Sequence, residues 1–283
     1  MAARKKFNRL WVRIMLYLFG AWVLWCAVLF FAQRRMLFPA DLAGTAMPPP
    51  KNAVVLRHEI APGKTVEAWF FPAPAAEHPA PLVVYFHGNA ELIDDQQRIV
   101  EAYRAMGCSV LLPEYRGYGH SAGTPSQRGI GEDAQRFVEM ALARPDVDAA
   151  RVAYHGRSLG GGVAADQCTR RLPAALILES TFTSMGRMAL SYGAPPFLVR
   201  DPFRTARTVR TLKAPLLLFH GSADNIIPVG HGRRLHALAP GARYVEYGAG
   251  HNDFPGSENE EAFWAEIKRF LRESGVMREA EPR

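Results

Sequence analysis

"HGRSLGGG", residues 155–162, sets one serine among four glycines directly after the apolar run "ARVAY". Gly156, Ser158 and Gly160 satisfy Gly-x-Ser-x-Gly, the pattern of a sharp strand-to-helix turn that holds a serine in a strained conformation. In such a bend the residues two before and two after the serine approach each other, so a Cβ at either place would clash. A phosphate cradle is the poorer reading, because no Gly-Lys-Ser/Thr follows and Gly-x-Gly-x-x-Gly is not matched. Five residues alone do not separate the bend from a flexible loop, and the surrounding chain has to decide.

The surroundings supply a sheet. "AVVLRHEI" (53–60) and "VEAWFF" (66–71), joined by a Pro-Gly-Lys turn, read as an antiparallel pair. Unbroken apolar runs follow at 81–86, 109–113, 151–154, 175–179 and 215–219, with "RYVEY" (243–247) last. Continuous rather than alternating apolar strands indicate a parallel sheet covered on both faces. Helical stretches near 91–106, 129–143, 159–171, 229–238 and 259–274 separate the runs. Phe263, Ile267, Phe270 and Leu271 give the last of them a core-facing stripe. This alternation predicts one doubly wound α/β domain with a mostly parallel eight-stranded sheet over residues 53–283.

The net charge of +7 comes from the N-terminus. Residues 1–35 carry seven Lys/Arg and no acid, leaving 27 basic and 27 acidic side chains in the remainder. A neutral domain removes the main argument for nucleic-acid binding. Residues 14–32 hold 19 positions without a charge, nearly enough helix to cross a hydrocarbon core of about 30 Å. A signal peptide would have a shorter apolar region and a small-x-small cleavage site; here bulky residues end the run and Arg34-Arg35 follow. The expected plan is a basic segment (1–13), an uncleaved membrane anchor (14–32), a Pro-rich linker (33–52) and the α/β domain. Five basic residues before the span against two after it place the N-terminus in the cytoplasm and the domain on the exoplasmic side. Three cysteines make no disulfide framework; Cys108 and Cys168 read as small buried hydrophobes, and Cys26 lies in the span.

In open parallel sheets, ligands bind beyond the carboxyl ends of strands. Those ends here lead into His87-Gly88-Asn89-Ala90, into Ser158, into "HGSADNIIP" with Asp224, and into "GAGHND" with His251. A serine hydroxyl needs a base to act as nucleophile, and the base needs a carboxylate to orient it. His251, in a glycine-flanked loop after a strand, fits the base better than His231 or His236 on a predicted helix. Asp224 fits the acid; Glu179 at the end of "ALILE" is the alternative, and Asp253 stands too near His251 in sequence to turn onto its ring. His87, His155 and His220 read as structural hydrogen-bonding residues.

The order Ser158, Asp224, His251 is that of α/β-hydrolases. Over about residues 53–274, "FHGNAE", "PEYRGYGHSAG", "HGRSLGGG", "HGSADNIIP" and "GAGHND" together resemble an α/β-hydrolase-fold serine hydrolase. They are similar to those of the membrane-anchored esterase, acyl thioesterase or serine aminopeptidase-like subgroup. The resemblance implies Ser158 as nucleophile, His251 as base, Asp224 as its orienter, and an oxyanion hole of the Asn89 and Leu159 backbone N–H groups. It also puts the loop 115–121 at the site's border, with Tyr118 and His120 either lining the pocket or forming a structural turn. No metal-ligand cluster and no dinucleotide fingerprint occurs, so the expected mechanism needs no cofactor.

Only residues 180–214 separate two of the strands, leaving room for a small cap at about 181–213. "MALSYGAPPFLV" (188–199) supplies side chains for an acyl groove, or for packing onto the sheet. An apolar cap beside an anchor suits acyl esters or thioesters with a lipid tail. The alternatives are an aminopeptidase-like amidase, against which the lack of an obvious acidic cluster counts, and a non-catalytic scaffold with this fold.

Overall fold

A computed structural model of the chain describes residues 2–74 and 79–278, with side chains from residue 9 onward. The strands are β1 (Val54–Ala61), β2 (Lys64–Phe71), β3 (Ala80–Phe86), β4 (Ser109–Pro113), β5 (Val147–Arg157), β6 (Ala175–Glu179), β7 (Leu216–Gly221) and β8 (Arg243–Tyr247). The helices are α1 (Ala2–Leu37), α2 (Gln97–Ala105), α3 (Gln127–Leu142), α4 (Leu159–Cys168), α5 (Met185–Ser191), α6 (Thr205–Thr211), α7 (Gly230–Leu238) and α8 (Glu260–Glu273). All eight strands join one sheet in the order β1-β2-β4-β3-β5-β6-β7-β8. The β1–β2 and β2–β4 pairs are antiparallel and the other five are parallel. This is the mostly parallel eight-stranded sheet expected from the alternation of apolar runs, in the α/β-hydrolase fold that the resemblance implied.

Period-two alternation divides each strand between two cores. Leu82, Val84 and Phe86 of β3 join Ile130 and Phe137 of α3, Val163 of α4 and Leu235 of α7. Val83 and Tyr85 turn to the other face and meet Val100 and Tyr103 of α2 with Phe263, Ile267 and Phe270 of α8. The stripe read from α8 is therefore core, and each such buried side chain contributes about 1.5–3 kcal/mol.

The topology also positions the site. β3 is flanked by β4 on one side and β5 on the other, so the loops after β3 and β5 leave a crevice at the strands' carboxyl ends. Phe86 pairs with Gly156 across β3 and β5. The loop from His87 to Ala90 consequently emerges beside the bend that carries Ser158.

Two of the boundary differences from the sequence reading bear on the site. The α2 helix begins at Gln97 because a 3-10 turn at Ile93–Gln96 precedes it, in which the Asp95 carboxylate accepts from the Leu92 amide at 2.8 Å. The N-terminal helix does not end near residue 32. It runs to Leu37, until the approach to Pro39, which disfavours helical backbone in the residue before it, ends the helix. Arg9–Leu37 is the one segment, among the described residues, long and apolar enough to cross a membrane. Nor does this helix stand apart from the domain. Trp22 Nε1 donates to the Gly193 carbonyl at 2.9 Å and Trp25 Nε1 to that of Tyr192 at 2.8 Å. Phe38 is buried edge-on against Phe203. The segment read as a spacer is thus partly the end of a helix docked on the cap.

Candidate active site

Ser158 sits between the end of β5 and the start of α4 with φ 54° and ψ −116°. A positive φ at a non-glycine residue is strained, and surrounding structure must hold it. The neighbouring glycines permit this: a Cβ on Gly156 would overlap the Gly160 carbonyl, and one on Gly160 would overlap the carbonyl of Phe86. The Ser158 amide donates to the Glu179 carbonyl at 2.8 Å, and the Thr181 hydroxyl donates to the Ser158 carbonyl at 2.7 Å. With its backbone fixed in this way, the side chain is directed away from the sheet.

Three strand ends converge there. His251 Nε2 lies 3.0 Å from Ser158 Oγ, and its Nδ1 lies 2.6 Å from Asp224 Oδ2. The other Asp224 oxygen accepts from the Ile226 and Ile227 amides at 2.9 and 2.7 Å. Burial by itself would raise the Asp224 carboxyl pKa, but the His251 hydrogen bond and these amides outweigh it and hold it below the ordinary carboxylate range. Leu159 opens α4, where first-turn amides have no intrahelical acceptor and the helix dipole is positive. Asn89 and Leu159 line the same cavity as Ser158 and His251.

The alternative acids are elsewhere. Asp253 turns back to accept from the Gly250 amide at 3.0 Å. Glu179 accepts from Arg157 Nε at 3.0 Å and faces His155, not His251. His220 donates to the Ile227 carbonyl across 2.8 Å; burial lowers its pKa and keeps it neutral. His231 Nδ1 accepts from the Thr183 amide at 3.0 Å, so it buttresses the cap.

Around this cluster is a scaffold that sequence reasoning did not find. Arg157, the residue before the serine, pairs with Glu91 and Glu179, and its Nη2 donates to Asn252 Oδ1 at 2.7 Å and to the His251 carbonyl at 3.2 Å. Burial opposes the guanidinium charge, yet the two glutamates more than offset it and raise its pKa. Glu91 in turn accepts from the Gly88 amide at 3.0 Å. One side chain therefore ties the Asn89 loop, the Ser158 bend and the His251 loop together. In the sequence Arg157 occupies a variable slot of the serine pattern, which carries no signal.

Tyr118 and His120 do not line the cavity. The Tyr118 hydroxyl donates to the Asn89 carbonyl at 2.6 Å and holds that loop from behind, while His120 Nε2 contacts the Met47 carbonyl at 3.1 Å. The structural reading of this loop is the right one. The stretch 188–199 does line it, through Met188, Tyr192 and Leu198 among others. The cavity holds about 610 Å³, within the range of small-molecule sites. Its remaining wall comes from α1.

Comparison with known proteins fixes the family. A family model described as serine aminopeptidase, S33, matches residues 77–201. The α/β-hydrolase domain-containing protein WAV2 of Arabidopsis thaliana is 30% identical over 236 residues, covering 74% of this chain and 75% of its own. The chain belongs to the α/β-hydrolases. Within them it is also 33% identical over 204 residues to the lysophosphatidylserine lipase ABHD12 of Macaca fascicularis; the match covers 62% of this hydrolase and 49% of that longer protein. Among solved structures, Thermogutta terrifontis esterase 2 superposes with a TM-score of 0.67 at 19% identity, covering 82% of this chain and 98% of that one.

Proposed function

We propose that this α/β-hydrolase is a membrane-anchored serine hydrolase that cleaves carboxylic esters or thioesters of acyl, lipid-like substrates through an acyl-enzyme on Ser158. The observation that carries the reading is the unbroken contact chain from Ser158 Oγ through His251 to Asp224 at the edge of an apolar cavity. His251 Nε2 takes the hydroxyl proton as Oγ attacks the carbonyl carbon, and Asp224 holds the proton on Nδ1 and stabilises the imidazolium. The Asn89 and Leu159 amides receive the oxyanion, and collapse expels an alcohol or thiol that His251 protonates. Water then attacks the acyl-enzyme by the same steps in reverse roles.

An acyl substrate is favoured over an aminoacyl amide by the lining. Its one carboxylate among the described residues, Glu91, is already paired with Arg157 and the Gly88 amide, so none is free for a substrate ammonium. The lysophosphatidylserine lipase relative points the same way. The anchor reading rests on the apolar helix Arg9–Leu37, and an N-terminus in the cytoplasm rests on five basic residues before residue 14 against Arg34 and Arg35 after the span, of which Arg34 is paired with Asp201.

The test is labelling of the whole chain by a fluorophosphonate together with ester turnover. Ser158→Ala is expected to abolish labelling and to lower turnover by about 10³-fold or more while the domain stays folded. Near-normal turnover in that variant overturns the assignment. Protease digestion of the domain in spheroplasts before the membrane is permeabilised is the outcome expected for an exoplasmic site.

A further inference from the structure

We infer that α1 is more than an anchor: its cap-facing side forms one wall of the acyl-binding pocket, so the substrate's acyl chain lies along α1, between it and the cap. This inference rests on the ester-hydrolase reading above and adds a chain-length determinant to it. Cys26, Leu29, Phe30, Gln33 and Leu37 line the cavity that contains Ser158, opposite Met188 and Leu198 of the cap. These positions recur at the helical spacing of one face, and the opposite face, with Leu24 and Phe31, is exposed. From Cys26 to Leu37 the wall extends about 16 Å at the helical rise of about 1.5 Å per residue, room for a long unbranched chain and far more than an acetyl group needs.

The polar groups along this wall are already used. Gln33 Nε2 donates to the carbonyls of Phe30 and Leu198 at 2.9 and 3.2 Å, and its Oε1 accepts from the Arg200 amide at 2.7 Å. Only its methylene stem is left for the pocket. The wall is also held in place, by the Trp22 and Trp25 bonds to the cap and by Arg34 on Asp201. A firmly positioned apolar wall with no spare donor or acceptor selects methylenes by contact rather than head groups by hydrogen bonding.

The experiment compares hydrolysis of p-nitrophenyl hexadecanoate and p-nitrophenyl acetate by the whole chain in detergent micelles. Leu29→Trp fills the groove and is expected to lower the hexadecanoate-to-acetate ratio of kcat/KM by about tenfold or more. Leu29→Ala, which keeps the helix but removes wall contacts with the chain, should lower the same ratio severalfold. Leu24→Trp, on the exposed face, should leave the ratio as it is. Unchanged ratios in both Leu29 variants, or an equal effect of Leu24→Trp, overturn the inference. A readout without turnover separates it from the reaction: hexadecanoate carrying a terminal diazirine, photolysed with the Ser158→Ala chain, should cross-link to Cys26, Leu29 or Phe30. Cross-links on this face with no ester cleaved by the unaltered chain leave the pocket standing and remove the reaction. Ester cleavage with cross-links only on the Leu24 and Phe31 face does the reverse.

Discussion

Arg34 and Asp201, 167 positions apart in the chain, meet in a bidentate pair, Nε to Oδ2 at 2.8 Å and Nη2 to Oδ1 at 3.3 Å. Asp201 is buried and its Oδ1 also accepts from the Gln127 amide at 2.9 Å, whereas the Arg34 side chain is a third exposed. The pair fastens the end of α1 to the cap and the cap to the start of α3.

Removing the two partners should therefore have unequal effects. Arg34→Ala leaves the buried Asp201 carboxylate without its cation and is expected to cost about 3–5 kcal/mol, while Asp201→Ala strands the Gln127 amide beside a guanidinium that water can reach and costs about 1–3 kcal/mol. Thermal unfolding of the two variants in detergent checks the ranking. A larger loss for Asp201→Ala would mean that the Gln127 amide, rather than the buried charge, dominates the balance.

The acid of the contact chain can be tested against its rival. Asp224→Asn preserves shape but favours the wrong imidazole tautomer, so turnover should fall by about 10⁴-fold. Glu179→Gln touches the Arg157 network and only indirectly the His251 loop, so its effect should be about tenfold at most. Steady-state kinetics of both variants on one ester decides it, and reversed losses would transfer the role to Glu179.

These residues show how far the sequence could be read. Ser158, Asp224 and His251 were legible because each stands at the carboxyl end of an apolar run, and parallel topology gathers those ends at one edge. The sheet was legible because a strand buried on both faces must be apolar throughout. The α1 wall was not: a residue facing a lipid bilayer and a residue facing an apolar pocket obey the same hydropathy, so Leu29 and Leu24 look alike in the sequence. Arg157 was hidden for a different reason. Its partners Glu91, Glu179 and Asn252 come from two separate loops and the end of β6, and only the folded sheet brings them within reach of one guanidinium.

Stability should depend on pH through His87. Burial alone would lower its pKa, but the Glu114 carboxylate, 2.9 Å from Nε2, overrides burial and raises it, with the Gly88 carbonyl accepting at Nδ1. A raised folded value means that the native state keeps a proton the unfolded chain has released. The stabilisation is accordingly complete below the unfolded value of about 6.5 and is lost as pH rises through the raised folded value. Denaturant unfolding across that window should show stability declining with pH, and His87→Gln should remove that component of the slope. A profile of the unaltered domain that is flat or rises over the same window overturns the assignment.

Arg157 should act as a positioning residue. It touches neither Ser158 Oγ nor the Asp224 carboxylate, yet it holds the His251 carbonyl, Asn252 and, through Glu91, the loop that carries Asn89. Arg157→Met would leave Glu179, 1% exposed, as an uncompensated buried charge and is a poor test, because breaking such a pair costs about 3–5 kcal/mol. Arg157→Lys keeps the charge but loses the planar fork that reaches three partners at once. In that variant kcat should fall by about 10- to 100-fold from a displaced imidazole, with KM changed far less because the guanidinium is already committed to Glu91, Glu179 and Asn252. Melting temperature and kinetics measured on the same preparation separate the two roles. A loss of kcat with the melting temperature retained supports positioning, whereas a melting temperature that falls in step with activity reduces Arg157 to a structural pair.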